Sequence, residues 1–344
     1  MTQQAPSKAP LSAHTVERLA AAAAAAPSMH NTQPWRFVVR ATERVVEVYA
    51  DPDRSLRHSD PHGRAVHLAA GAALLNLRLA VACSGAEPVV RLLPDPHNPL
   101  LLGCVRLGGA YRPRRGEQDL CAAIQQRHTN RQPFTDRAVP RQVVAELAEA
   151  AALEGAELLV PGPEAASRVT RLSADADAQL RSDPAYLAEL EKWTRSARQR
   201  PGEGIPDQAL GPKPKTGHAP VRNLWPSQDR VVPREVFEAA PQLVVISTRV
   251  DERASWLRAG QAMHRVLLLA THHGLQASPL TPLLEVAGHP GWEDPAFGGG
   301  HPAMILRLGY ATPGPTYRAA PVAAGTAYRE PLRRVPHVTG CRKT

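Results

Sequence analysis

Large aromatic side chains are scarce in this chain: tryptophan, tyrosine and phenylalanine together make up 4% of 344 residues. A core must therefore be assembled from alanine, leucine and valine, with close helix packing replacing bulky rings. Cysteine is also rare, with Cys83, Cys104, Cys121 and Cys341 in no paired spacing. That pattern argues against a disulfide framework or a zinc site and leads us to expect free thiols. No stretch approaches the roughly 18 apolar residues that a membrane span needs. The alanine run Ala20–Ala26 lacks the basic flank and apolar centre of a secretory signal, so a cytoplasmic protein with no membrane partner is expected. Acidic residues are outnumbered, 32 against 41 lysines and arginines, leaving a net charge of +9. The excess favours anionic small molecules. The arginines are scattered rather than striped with aromatics, so nucleic acid is not an expected partner. His58, His62 and His67 show no accompanying carboxylate pattern, and no metal is expected.

What the chain does contain is repetition. The segments "AAGAALLNLRLAVACSG" (Ala69–Gly85) and "RAGQAMHRVLLLATHHG" (Arg258–Gly274) both read as helices with an early glycine, Gly71 or Gly260, and a closing one, Gly85 or Gly274. A glycine just past a helix end accepts the left-handed backbone that terminates it. Strand-like "LLGCVRLGG" and "AMILRLGY" repeat in the same order. Each half reads helix, strand, strand, long helix, strand, strand, which predicts an α+β fold with antiparallel-rich sheets covered by helices. Two such halves would pack as an intramolecular pseudo-dimer, with the first over residues 1–115 and the second over residues 116–344. The second carries an insertion near residues 184–240, rich in proline and glycine, which reads as a lid or binding loop.

Two short stretches concentrate chemistry. "APSMHNTQPWRF" (Ala26–Phe37) packs hydrogen-bonding side chains between two prolines that restrict its backbone. "RHTNRQPF" (Arg127–Phe134) supplies two forked guanidinium groups and a threonine hydroxyl, suited to phosphate. Taken alone, Arg127 and Arg131 four residues apart describe an ordinary solvated helix face, Asn31 and Thr32 a cap or turn, Trp35 a core residue and His30 a half-exposed loop histidine.

Together the two stretches resemble the signatures of FMN-dependent nitroreductases, and their distribution is similar to the tandem Acg-like branch of that superfamily. In the homodimeric members each signature comes from a different protomer. Here the first half keeps only the Pro-Ser loop and the second only the arginine-rich one, which implies a single complete flavin site. The resemblance implies that Ser28, Met29, His30, Asn31, Thr32 and Gln33 line the flavin ring and that Arg127, Thr129 and Arg131 hold its phosphate. The "YREPL" stretch adds Arg329 as a third phosphate candidate. It further implies NADPH or NADH as reductant and a small nitroaromatic or quinone-type acceptor, or else a protein that stores free flavin beneath a closed lid. No catalytic residue is identified, and either a monomer or a homodimer suits the pattern.

Overall fold

A computed structural model describes residues 9–199, 202–217, 220–226, 232–286 and 288–311. Helix α1 (Ala13–Ala24) starts where the Ser12 hydroxyl accepts the Thr15 amide, and its alanine run turns Val16, Leu19, Ala20 and Ala23 inward. Strands β1 (Trp35–Arg40) and β2 (Val45–Ala50), helix α2 (Arg64–Cys83), and strands β3 (Ala86–Leu92) and β4 (Leu101–Ala110) complete the first unit. Helices α3 (Arg115–Ala123) and α4 (Arg141–Ala152) lead to β5 (Glu157–Leu159). After a long excursion come β8 (Gln242–Thr248), α7 (Arg253–His272), β9 (Gln276–Pro279), α8 (Pro282–Glu285) and β10 (His301–Gly309). The excursion holds α5 (Pro163–Arg181), α6 (Pro184–Gln199) and a two-residue parallel ladder, β6 (Lys213–Pro214) with β7 (Arg234–Glu235).

The sheet orders β1-β2-β4-β3 and β5-β8-β10-β9 are the same pattern written twice, and every pairing in both is antiparallel. Helices α2 and α7 cross at the centre, where Gly71 and Gly260 meet. A Cβ on Gly71 would fall 2.2 Å from the Leu257 carbonyl oxygen, and one on Gly260 would fall 2.1 Å from that of Leu68. The repeated early glycine is thus the contact point of the two halves. Gly85 (φ 83°) and Gly274 (φ 73°) adopt the left-handed backbone expected past each helix. Beside the crossing, the buried Asn76 carbonyl lies 2.7 Å from His264 Nε2, while the Asn76 amide donates to the Ala22 carbonyl at 2.8 Å.

Two expectations are corrected here. Helix α2 is, by length and composition, apolar enough to cross a bilayer. However, 78% of its most apolar stretch is buried inside the protein, as befits a core helix packed on α1 and α7. Cys83 and Cys121 are free, but Cys104 is disulfide-bonded.

Among its described residues the insertion carries two helices and a packed cluster. Residues 160–241 separate β5 from β8, and α5 within them packs into the second unit through Ala166, Val169 and Ala176. Beyond α5, Tyr186, Leu190, Ile205, Leu210, Leu224 and Trp225 form a small core of their own.

At the mirror position of the Pro-Ser loop, between α4 and β5, the chain places Glu154. Its buried carboxylate accepts from Arg78 Nη1 at 3.0 Å and from Arg265 Nε at 2.5 Å, tying α2 to α7. Burial pushes its pKa up, but the two guanidinium groups outweigh that and hold it below the usual carboxylate range. Glu154→Ala would strand two cations and is expected to cost about 3–5 kcal/mol in urea unfolding at pH 7. Because the folded pKa is depressed, the wild-type contribution is complete above the unfolded value near 4.3 and is lost as pH falls through the folded one. The gap between the two proteins should therefore narrow in acid.

Candidate functional site

The loop from Pro27 to Pro34 is built against the backbone's preference. His30, Asn31 and Gln33 all have positive φ, at 50°, 53° and 51°, a region that costs an L-residue roughly 1 kcal/mol or more. The turn is held by the Gln33 amide donating to Ser28 Oγ at 2.9 Å and by Arg54 donating to the Thr32 carbonyl at 2.9 Å. Its consequence is a division of side chains. Ser28, Met29 and His30 face a cavity. Asn31 and Gln33 instead face the insertion, with the Asn31 amide donating to the carbonyls of Gly202 (2.9 Å) and Gly204 (3.1 Å) and that of Gln33 to Gly202 (2.7 Å). Trp35, at 3% exposed, stacks on Phe37 and belongs to the core.

The arginine-rich stretch is anchored on β9, where the Asn130 amide donates to the Ala277 carbonyl at 2.9 Å. The fully buried Arg307 of β10 braces it by donating to the Gln132 carbonyl and lying 3.8 Å over the Phe134 ring. Arg127 makes no side-chain hydrogen bond or ion pair among the described residues, and its Nε is buried and unpartnered. Among the described residues the Arg131 side chain donates only to the Ala209 carbonyl, at 2.8 Å. Burial lowers both guanidinium groups to about 10, and for Arg131 the nearby Arg222 adds to the effect.

These pieces meet in one cleft at the seam between α2 and α7. Its empty space is about 1040 Å³ with the open solvent at its mouth included. The floor is apolar, with Leu68 and Ala69 from one side and Met263, Leu267 and Ala277 from the other. The cleft collects six of the residues singled out in the sequence: Ser28, Met29, His30, Arg127, Thr129 and Arg131. Asn31, Thr32 and Gln33 are not on its wall, and Arg329 lies outside the described residues.

Four charged wall residues were not anticipated. Arg64 reaches in from the first turn of α2, donates to the Pro302 carbonyl, and leaves its Nε unpartnered. Asp60 is raised to about 6 by burial, against the pull of backbone N–H groups at the start of α2. Arg222 comes from the insertion and forms a two-pronged pair with Glu285 at 2.5 and 2.8 Å, while also donating to the Tyr186 hydroxyl at 2.5 Å. Burial raises the Glu285 carboxyl, with Arg222 opposing. No local signal marks Arg222 or Glu285, since one sits in a proline-rich tract and the other on a single helical turn.

The insertion is fastened to the segment after β2 at several points. Glu189 accepts from the Ser59 amide (3.0 Å), the Ser59 hydroxyl (2.8 Å) and the His58 amide (3.2 Å). Glu203 pairs with Arg54 at 2.8 Å.

The profile of the Nitroreductase family matches residues 7–82 and 124–310. The chain is 34% identical over 303 residues to "Putative NAD(P)H nitroreductase Rv3131" of Mycobacterium tuberculosis (strain ATCC 25618 / H37Rv), covering 87% of this chain and 86% of that protein. It is 30% identical over 262 residues to "Putative NAD(P)H nitroreductase acg" of the same strain, covering 76% and 78% respectively. Among solved structures, a nitroreductase with bound FMN from Bacteroides fragilis aligns over 60% of this chain and 96% of its own, with 16% identity and a TM-score of 0.38.

Proposed function

Since this chain belongs to the nitroreductase family, we propose that its cleft holds one FMN and that the protein passes electrons from NADPH or NADH to a small nitroaromatic or quinone-type acceptor. The observation that carries this reading is the pair Arg127 and Arg131. Two half-buried guanidinium groups, with no carboxylate partner among the described residues, are costly unless an anion joins them. The dianionic flavin phosphate, with Thr129 as a hydroxyl partner, meets that need. The opposite wall comes from the other half, residues 1–115, and offers Ser28, Met29 and His30 to the ring, while residues 116–344 supply the phosphate end.

When bound, FMN supplies the two-electron chemistry, accepting hydride and passing the electrons on. The chain's own contribution is position and exclusion of water. The apolar floor of Leu68, Ala69, Met263 and Leu267 gives a flat ring a dry face. The strained turn fixes the loop before any ligand arrives, which lowers the ordering cost of binding. Asn31, Thr32 and Gln33 serve the ring indirectly, because their bonds to the insertion and to Arg54 set the turn that presents His30.

A second reading has its own support. Glu189 and Glu203 tie the insertion to the first half, and a cover that stays shut would leave a flavin-holding protein with little NAD(P)H turnover. The purified protein is expected to be yellow with about one FMN per chain, and a colourless protein that cannot be reconstituted overturns both readings. Anaerobic stopped-flow mixing with NADPH or NADH separates them. Bleaching of the flavin band within seconds marks the oxidoreductase. If the wild type stays yellow while Glu189→Ala with Glu203→Ala bleaches, the cover is the block.

A further inference from the structure

His30 is 4% exposed, and neither of its ring nitrogens meets a hydrogen-bonding partner. Leaving one buried polar group unsatisfied costs roughly 1–3 kcal/mol, and here there are two on a residue whose backbone is already left-handed. The neighbours cannot relieve the cost. The nearby cations Arg131 and Arg222 are donors only, and the Glu285 carboxylate is occupied by Arg222. Burial first, then Arg222 and Arg131, hold the imidazole pKa well below its ordinary value, so the ring is neutral with one N–H and one lone pair. Nor can the ring swing away. The Ser28–Gln33 bond closes the turn, and the insertion grips Asn31 and Gln33 on its far side. What remains is the cavity that His30 lines.

We propose that His30 is a ligand-reading residue, whose N–H donates to an acceptor atom on the heteroaromatic ring of the molecule held in the cleft. The inference rests on the FMN reading of that cleft. Reduction makes the ring's acceptor atoms more electron-rich, and a hydrogen bond to a more negative acceptor is stronger. His30 therefore stabilises the reduced ring more than the oxidised one and acts as a positioning residue that raises the bound flavin's reduction potential.

The test uses apoprotein and FMN. Binding is followed by quenching of flavin fluorescence, and the midpoint potential by reductive titration of the complex. His30→Phe fills the space without hydrogen bonds and is expected to weaken FMN about 10-fold, the loss of one net hydrogen bond. Its midpoint potential should move to a more negative value. His30→Asn keeps a donor and tolerates the left-handed turn, so it should recover part of both losses. Unchanged affinity and potential in His30→Phe would overturn the proposal. Because a variant in a strained loop can fail to fold, wild-type protein labelled with 15N-histidine gives a second answer. FMN should shift the His30 ring resonances into the pattern of a hydrogen-bonded single tautomer, and indifference of those resonances to FMN overturns the assignment. Failure of the wild-type apoprotein to bind FMN at all would instead reject the cleft reading itself.

Discussion

Replacing Arg127 and Arg131 together with alanine is expected to produce a protein that no longer retains FMN, with affinity lowered roughly 100- to 10,000-fold. Each guanidinium would contribute about 1.5–3 kcal/mol through charged hydrogen bonds to phosphate, and both line the cleft. The apoprotein should respond in the opposite direction. Both groups have folded pKa values lowered to about 10 from an ordinary 12.5, so the empty fold disfavours their charged forms. For a base with a depressed pKa, the penalty is fully present below the folded value and is relieved as pH climbs through it. At pH 7 the double variant without flavin should therefore melt above the wild-type apoprotein, and the difference should shrink only as pH rises above about 10. Flavin retention is read from absorbance after gel filtration, and stability from thermal melts of the stripped proteins. A structural role for these arginines predicts the reverse, with melting temperature falling and flavin unaffected. A yellow double variant would remove both residues from the site.

How much of this arrangement the chain displays in its order of residues depends on how far each interaction reaches. The two helices with Gly71 and Gly260 were legible because glycine in an alanine-leucine helix is conspicuous and recurs at the same distance from Gly85 and Gly274. The loops at Ser28 and Arg127 were legible because their residue types are dense and specific. Other features escaped because they arise between distant segments. The side chains of Asn31 and Gln33 read as cavity donors until the carbonyls of Gly202 and Gly204 are brought alongside, about 170 residues away in sequence. Arg222 and Glu285 become one buried pair only after α8 and the insertion fold together. The segment between β5 and β8 opens with α5, an ordinary amphipathic helix that no shift in composition marks. The alanine-rich α2 is mostly apolar because it is mostly covered, and a window of hydropathy does not separate that from a membrane helix.

The helix crossing yields the largest expected effect on stability. Alanine in place of Gly71 or Gly260 would ordinarily help a helix by about 1 kcal/mol, since glycine costs more backbone entropy. Here the new methyl would sit 2.2 or 2.1 Å from a carbonyl oxygen of the facing helix, far inside any normal carbon–oxygen contact. The obstructing atoms are backbone, with no flexible side-chain end to yield, so α2 and α7 must separate by about an ångström. Separation loosens contacts along both helices, and overpacking of this kind costs about 1–3 kcal/mol or more. We expect a net loss of about 2–4 kcal/mol for either alanine variant in urea unfolding, and no stable folded protein for leucine. The two substitutions press on the same crossing, so Gly71→Ala with Gly260→Ala should cost less than the sum of the two singles. The cleft floor hangs on these helices through Leu68, Ala69, Met263 and Leu267, and spreading them should also weaken FMN binding although neither glycine lines the cavity. If Gly71→Ala stabilised the protein by the amount that helix propensity alone predicts, the close contact would be refuted, and with it the central packing of the two halves.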